Sequence, residues 1–276
     1  MRKSYRAGGA RLEYVDQGAG LPVVFLHPTP VDHVFWLPLI AELKGVRALA
    51  ADLRGHGASE LGAGLPVGRF ARVPDAPVLT MERLAGDVLA LLDATGVNEA
   101  VFTGCSIGGY VLLELWRRAP ERVRGLAFVC SKAQPDAEAN RERRAGIIAE
   151  ARAGGRETLF DGMQTLVGAT ARARRPAIAG EMRARMTLTA EALAAVQAGL
   201  ATRPDSVPTI GAIDVPVLAI AGGEDGSITV AEMEAFKAAP GGCAFHVVED
   251  AGHFAAYEQP GRVAALMQPW LAQFAV

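Results

Sequence analysis

At 276 residues, half of them apolar, the chain is long enough to bury one substantial core and too hydrophobic to be a disordered protein. A formal charge of -2 and a pI near 6.2 give no basic footprint for nucleic acid, so a small, nearly neutral substrate suits it better than a polyanion. The basic start, Met1 to Gly9, leads into no apolar run, and no later stretch is long and apolar enough to span a bilayer, so neither a secretory signal nor a membrane partner is expected.

In chain order, residues 4 to 16 alternate loosely and predict antiparallel strands at one edge of a sheet. Short apolar runs follow at 23–26, 46–50, 100–102, 126–129, 217–220 and 245–248, each closed by a Gly, Pro, Ser or Asp cluster. These are the marks of strands covered on both faces. Between them, Met81, Leu84, Val88, Leu91 and Leu92 keep helical spacing, with Thr80 as N-cap and Gly96 as stop. Val263, Leu266, Met267, Trp270, Leu271 and Phe274 form a second amphipathic pattern, with Pro260 in its first turn. The alternation predicts an α/β protein with a mainly parallel central sheet flanked by helices.

Residues 133–208 break that alternation, because Ala, Arg and Glu dominate and no β-type run appears. The expected architecture is a core of residues 1–132 and 209–276 carrying a helical insertion at 133–208. The insertion's arginines, among them Arg143 and Arg144, are largely offset by Glu and Asp. They read as a solvated helical face, with carboxylate binding by one of them as the alternative. The Gly/Pro-rich stretch 61–78 reads as a loop bordering the site. Cys105, Cys130 and Cys243 lie far apart in apolar segments. They predict reduced core thiols, a cytoplasmic protein and no structural metal.

The chemistry concentrates in Gly104-Cys105-Ser106-Ile107-Gly108, a G-x-S-x-G segment directly after an apolar strand and before a helical run. A tight strand-to-helix turn forces its central residue into strained geometry, and glycine on either side lets the chain pass close by. Gly222-Gly223-Glu224-Asp225 and Ala251-Gly252-His253 then follow two further strands, in the order serine, acid, histidine. A serine hydroxyl needs a neighbouring imidazole to take its proton, and that imidazole needs a carboxylate on its other nitrogen. Ser106, His253 and Asp225 are therefore the candidate catalytic residues, with Glu224 and Asp250 as rival acids. His33, His56 and His246 lack this context. The backbone N–H groups of Ile107 and Thr29 are the candidate oxyanion donors, since Pro28 and Pro30 have none to offer. Phe35, Trp36, Phe160 and Met163 are candidate pocket walls, with simple core packing as the alternative.

These segments, together with Asp52-Leu53-Arg54-Gly55-His56-Gly57-Ala58-Ser59, resemble the α/β-hydrolase family. The resemblance covers the chain outside the insertion and implies that 133–208 is a cap over the active site. Pro28 stands where the family's H-G-x-x loop usually has glycine. Within the family, the elbow, the His27 to Asp32 loop and His253 followed by Glu258-Gln259-Pro260 are similar to enol-lactonases and related small-molecule esterases. Epoxide hydrolases and haloalkane dehalogenases of this fold carry an aspartate nucleophile, where this chain has Ser106. The resemblance implies hydrolysis of a small carboxylic ester or lactone without a cofactor. Carbon–carbon bond hydrolysis, perhydrolysis and acyl transfer on the same residues, or a ligand receptor on the same fold, remain as alternatives.

Overall fold

A computed structural model describes residues 2–274. Its strands are β1 (Arg2–Ala7), β2 (Ala10–Gly18), β3 (Leu21–Leu26), β4 (Val46–Ala51), β5 (Ala100–Cys105), β6 (Val123–Val129), β7 (Val217–Gly222) and β8 (Cys243–Val248). Its helices are α1 (Leu37–Glu42), α2 (Met81–Thr95), α3 (Ile107–Arg118), α4 (Glu138–Glu150), α5 (Arg156–Met163), α6 (Ala169–Arg174), α7 (Ile178–Arg183), α8 (Ala190–Ala201), α9 (Val207–Ile210), α10 (Val230–Met233), α11 (Ala255–Glu258) and α12 (Pro260–Ala272).

The strands form one eight-stranded sheet in the order β1-β2-β4-β3-β5-β6-β7-β8. The N-terminal hairpin of β1 and β2 is antiparallel and joins β4 antiparallel, while β3 to β8 pair parallel with one another. The apolar runs behave as parallel strands must. Every residue of β5 and β7 is buried, because helices cover both faces of the sheet. Helix α2 packs on α3, which lies against β5 and β6, and α1 packs on α12, which lies against β7 and β8. Local signals set the ends of α2. Thr80 accepts a hydrogen bond from the Arg83 amide at 3.2 Å, and Gly96 ends the helix at φ 66°, where a side chain would be strained.

The chain crosses from β3 to its neighbours on both sides, β4 and β5, so a crevice opens at the carboxyl ends of these strands. Between β6 and β7 the chain makes helices α4 to α9 and no strand, a helical cap inserted into the sheet. Loop 61–78 does not line the site cavity, contrary to the reading from its composition. Phe70, Ala76 and Val78 bury instead against Ile148 of α4 and Ala194, Ala198 and Ala201 of α8, so the loop props the cap. Burial of its apolar side chains decides where this loop sits.

One ion pair ties three separate segments. The fully buried Arg54 guanidinium donates from Nε and Nη2 to the Asp87 carboxylate of α2 at 2.8 and 2.6 Å, and Nη2 also reaches the Ala7 carbonyl at 2.7 Å. Removing one partner leaves the other charge buried and unpaired. Asp87→Ala should therefore cost about 3–5 kcal/mol, read as a lowered urea midpoint with an unchanged slope.

Candidate active site

Ser106 closes β5 and opens α3 with φ 52° and ψ -117°. Among the described residues, only Ser106 and Cys130 of the non-glycine positions have positive φ, and they meet. The Ser106 amide donates to the Val129 and Cys130 carbonyls at 3.3 and 3.2 Å, and the Ser131 hydroxyl donates to the Ser106 carbonyl at 2.9 Å. The flanking glycines make this turn possible. A Cβ on Gly108 would run into the Leu26 carbonyl, and one on Gly104 would come within 2.5 Å of the Gly108 backbone. Strain held in place by surrounding structure is a mark of functional sites.

His253, in the loop after β8, is buried and joined through Nδ1 to Asp225 Oδ2 at 2.8 Å. The carboxylate only accepts, so Nδ1 carries the proton and Nε2 is left for another partner. The other Asp225 oxygen accepts from the amides of Ser227 and Ile228 at 2.8 and 3.1 Å. Burial pushes the Asp225 carboxyl up, but His253 and these amides outweigh it and hold it below its ordinary value. The rival acids are engaged elsewhere. Glu224 accepts from the amide and hydroxyl of Thr170, and Asp250 pairs with Arg174 and Arg262.

Thr29, in the loop after β3, is held through its hydroxyl by His56, whose ring lies tilted against that of His27 with centres 5.0 Å apart. Burial lowers the pKa of His27 and brings His56 down to about 3, so both rings are neutral at physiological pH. His56 Nδ1 can only donate to the Arg54 carbonyl at 3.0 Å, which leaves Nε2 to accept from the Thr29 hydroxyl at 3.0 Å. By the same reasoning, His27 donates from Nδ1 to the Pro28 carbonyl and accepts the Leu53 amide on Nε2. His33 donates to Asp52, whose carboxyl sits at about 2. Burial works against that low value, while hydrogen bonds from the His33 ring and the His33 amide bring it about. His33 and His56 are thus buried loop fasteners, while His246 lies half-buried in β8.

Ser106, Thr29, Ser227, Ile228 and His253 line one cavity of about 170 Å³. An apolar cavity of about 150 Å³ holds a benzene ring. The cap supplies an apolar part through Ile147, Met163, Leu166 and Leu200, and a polar part through Asp136, Asn140, Arg143, Arg144 and Gln197, joined by Lys132 from the end of β6. Of the expected walls, only Met163 lines the cavity. Phe35 and Trp36 turn inward and pack on Phe25, Phe254 and Tyr257, and Phe160 is fully buried with the Arg156 and Arg183 guanidinium groups over its ring. Large aromatic rings gain more from burial than from a place at a polar cavity.

The sequence reading gives Arg143 and Arg144 as a solvated face, with carboxylate binding as the alternative, and does not single out Asn140 and Ile147, although the four fall at i, i+3, i+4 and i+7, which is one face of α4. A polar stripe at that spacing looks the same whether it faces water or a cavity. Arg144 is not solvated: it is mostly buried against Asp136 and Gln197. Among the described residues, no group of three or more His, Cys, Asp or Glu is placed to hold a metal ion, and no helix is long and apolar enough to cross a membrane. Cys105 and Cys130 are buried, which pushes both thiols well up and leaves them unreactive.

The sequence profile of the alpha/beta hydrolase family matches residues 23–266. The chain belongs to this family. Among curated members, it is 30% identical over 130 residues to bifunctional epoxide hydrolase 2 of Sus scrofa, a match that covers 46% of this chain and about a fifth (21%) of that protein. Among solved structures of this hydrolase fold, a thermophilic esterase from Thermogutta terrifontis with malate bound superposes with a TM-score of 0.89 at 29% identity, covering 100% of both chains. The enol-lactonase from Burkholderia xenovorans LB400 gives 0.85 at 26%, covering 98% of this chain and 100% of that one.

One carboxylate fastens the histidine loop to the cap. Glu258 Oε2 accepts from the amides of Gly252 and Gly168 at 2.8 and 3.0 Å, and Oε1 accepts from Phe254 at 3.0 Å. The His253 amide itself donates to the cap's Leu166 carbonyl at 2.9 Å. Replacing one carboxylate oxygen with an NH2 group faces a donor with a donor. Glu258→Gln should therefore lower the unfolding free energy by about 1–3 kcal/mol, measured by urea titration, whereas an unchanged midpoint would remove this fastening role.

Proposed function

We propose that the chain is a serine hydrolase of small carboxylic esters or lactones, with Ser106 as nucleophile, His253 as general base and Asp225 as its supporting acid. The observation that carries this reading is the pairing of two features in one cavity: Ser106 in its left-handed turn, and a His253 ring whose Nδ1–H is given to Asp225. The similarity to an esterase and an enol-lactonase along the whole chain supports the substrate class.

In the proposed reaction, the Ser106 hydroxyl oxygen bonds to the substrate carbonyl carbon while its proton passes to His253 Nε2. The oxyanion is held by the Ile107 amide, which opens α3 and has no acceptor within that helix, and by the Thr29 amide. As the tetrahedral species collapses, the bond to the alcohol oxygen breaks and the proton on Nε2 goes to that oxygen. Water then attacks the Ser106 acyl ester, giving its proton to Nε2, and the carboxylic acid leaves as Ser106 recovers its own. Asp225 holds the imidazole tautomer and stabilises its charged form in both halves. The reaction calls on no metal or organic cofactor, and nothing in it involves nucleic acid.

Ser106→Ala should fold normally and lose about 10⁴-fold or more of kcat on short-chain p-nitrophenyl esters and on a muconolactone-type enol-lactone. Asp225→Asn should lose about 10⁴-fold. Retained turnover in the Ser106 variant would overturn the assignment. Turnover confined to vinylogous diketones, to peroxide-dependent reaction or to an added alcohol acceptor would move the same triad to carbon–carbon hydrolysis, perhydrolysis or acyl transfer.

A further inference from the structure

We infer that the cap-side wall of the cavity is a carboxylate-binding subsite, so that the substrate is a small ester or lactone carrying a second, free carboxylate. The reaction in this statement rests on the hydrolase reading above, but the binding does not. The argument begins with charge. Lys132, Arg143 and Arg144 line the cavity and Arg203 stands behind them, and only two carboxylates, Asp136 and Glu232, answer these four cations. Two further carboxylates near the cavity, Asp225 and Glu258, do not line it; the first is spent on His253 and two amides and the second on three amides. The surplus is positive, and it faces the space where a substrate would lie.

Asp136 is the crux of that imbalance. This single buried carboxylate is shared by Arg144 and by Arg203, whose Nη1 donates to it at 2.7 Å. Arg203 has other compensation, because it donates to the Leu200 and Gln134 carbonyls at 2.9 and 3.1 Å and stacks on Tyr110 with its carbon 4.4 Å from the ring centre. Arg144, unlike Arg203, lines the cavity. Its five N–H groups meet Asp136 through Nε and Nη2 and Gln197 through Nη1, which leaves two without a protein acceptor, the same number as in Arg203 but on the guanidinium that meets the cavity.

Arg143 completes the wall, one residue along the same face of α4. Arg143 is exposed, and among the described residues its side chain has no carboxylate partner and no hydrogen bond, in a cap whose other arginines are mostly paired. It also lines a second cavity of about 380 Å³ that shares Ile147, Met163, Leu166 and Ser227 with the first, so it stands where the two adjoin. A guanidinium fork matches a carboxylate in two parallel hydrogen bonds, which a neutral ester group cannot reproduce. The apolar surface from Ile147 to Leu200 then suits the short carbon chain between that carboxylate and the scissile carbonyl.

The test compares charged and neutral substrates of similar shape, using wild type, Arg143→Gln and Ser106→Ala. Monophenyl adipate against phenyl hexanoate places the charge on the acyl side. Acetoxybenzoate, as the 4-isomer, against its methyl ester places it on the alcohol side. In wild type, one of the two kcat/KM ratios should favour the charged member at least about tenfold, and Arg143→Gln should reduce that ratio by about 10- to 100-fold, mainly through KM. Ratios near one, or a ratio that Arg143→Gln leaves in place, would overturn the subsite while the hydrolase reading stands. If no ester is turned over in a Ser106-dependent way, that reading falls, and calorimetry with adipate against adipamide decides the subsite by itself. Adipate binding that is lost in Arg143→Gln supports it, and no preference for adipate overturns it.

Discussion

A side chain held at positive φ between a buried strand and a helix is the constraint around which this molecule is arranged. Ser106 keeps that conformation only because Gly104 and Gly108 let the chain pass where a Cβ would collide with backbone, and because Ser131 and the carbonyls after β6 take up its polar groups. A strained turn of this kind costs roughly 1–3 kcal/mol and persists only when its surroundings determine it more strongly than that. The surroundings here are two strands buried over nearly their whole length, which explains why the turn sits at the centre of the sheet rather than at its edge.

The rest of the site is held from behind in the same way. Neutral, buried His27 and His56 pass hydrogen bonds between the Thr29 loop and residues 53–54, and Arg54 in turn anchors that segment to α2 and β1. Asp225 spends one oxygen on His253 and the other on two amides, and Glu258 fastens the histidine loop to the cap. Thr29, Asp225 and the His253 loop are thereby fixed by partners outside the cavity, and such preorganisation lets a site stabilise developing charge without first rearranging.

The sequence made part of this legible, and the division is physical. Sheet class, the N-terminal hairpin, the limits of α2 and the G-x-S-x-G turn were readable because each depends on local geometry that few residue types satisfy. The pairing of His253 with Asp225 was readable because glycine-flanked acid and histidine each follow a strand. The cavity wall was not. Asn140, Arg143, Arg144 and Ile147 show their helical spacing, but spacing alone does not say whether the face meets water or another domain. Phe35, Trp36 and Phe160 failed as walls for the complementary reason: an aromatic near a motif is still drawn first into the core. Loop 61–78 likewise follows Phe70 and Val78 inward to prop the cap.

The central claim is that Ser106 is the nucleophile, and covalent labelling tests it most directly. Incubation with the organophosphate diethyl p-nitrophenyl phosphate, followed by intact mass measurement and peptide mapping, should show one diethylphosphoryl group per chain, carried on Ser106, with p-nitrophenol released in equal amount. Folded protein that takes up no label, or that carries it on another residue while Ser106 stays free, would contradict the account.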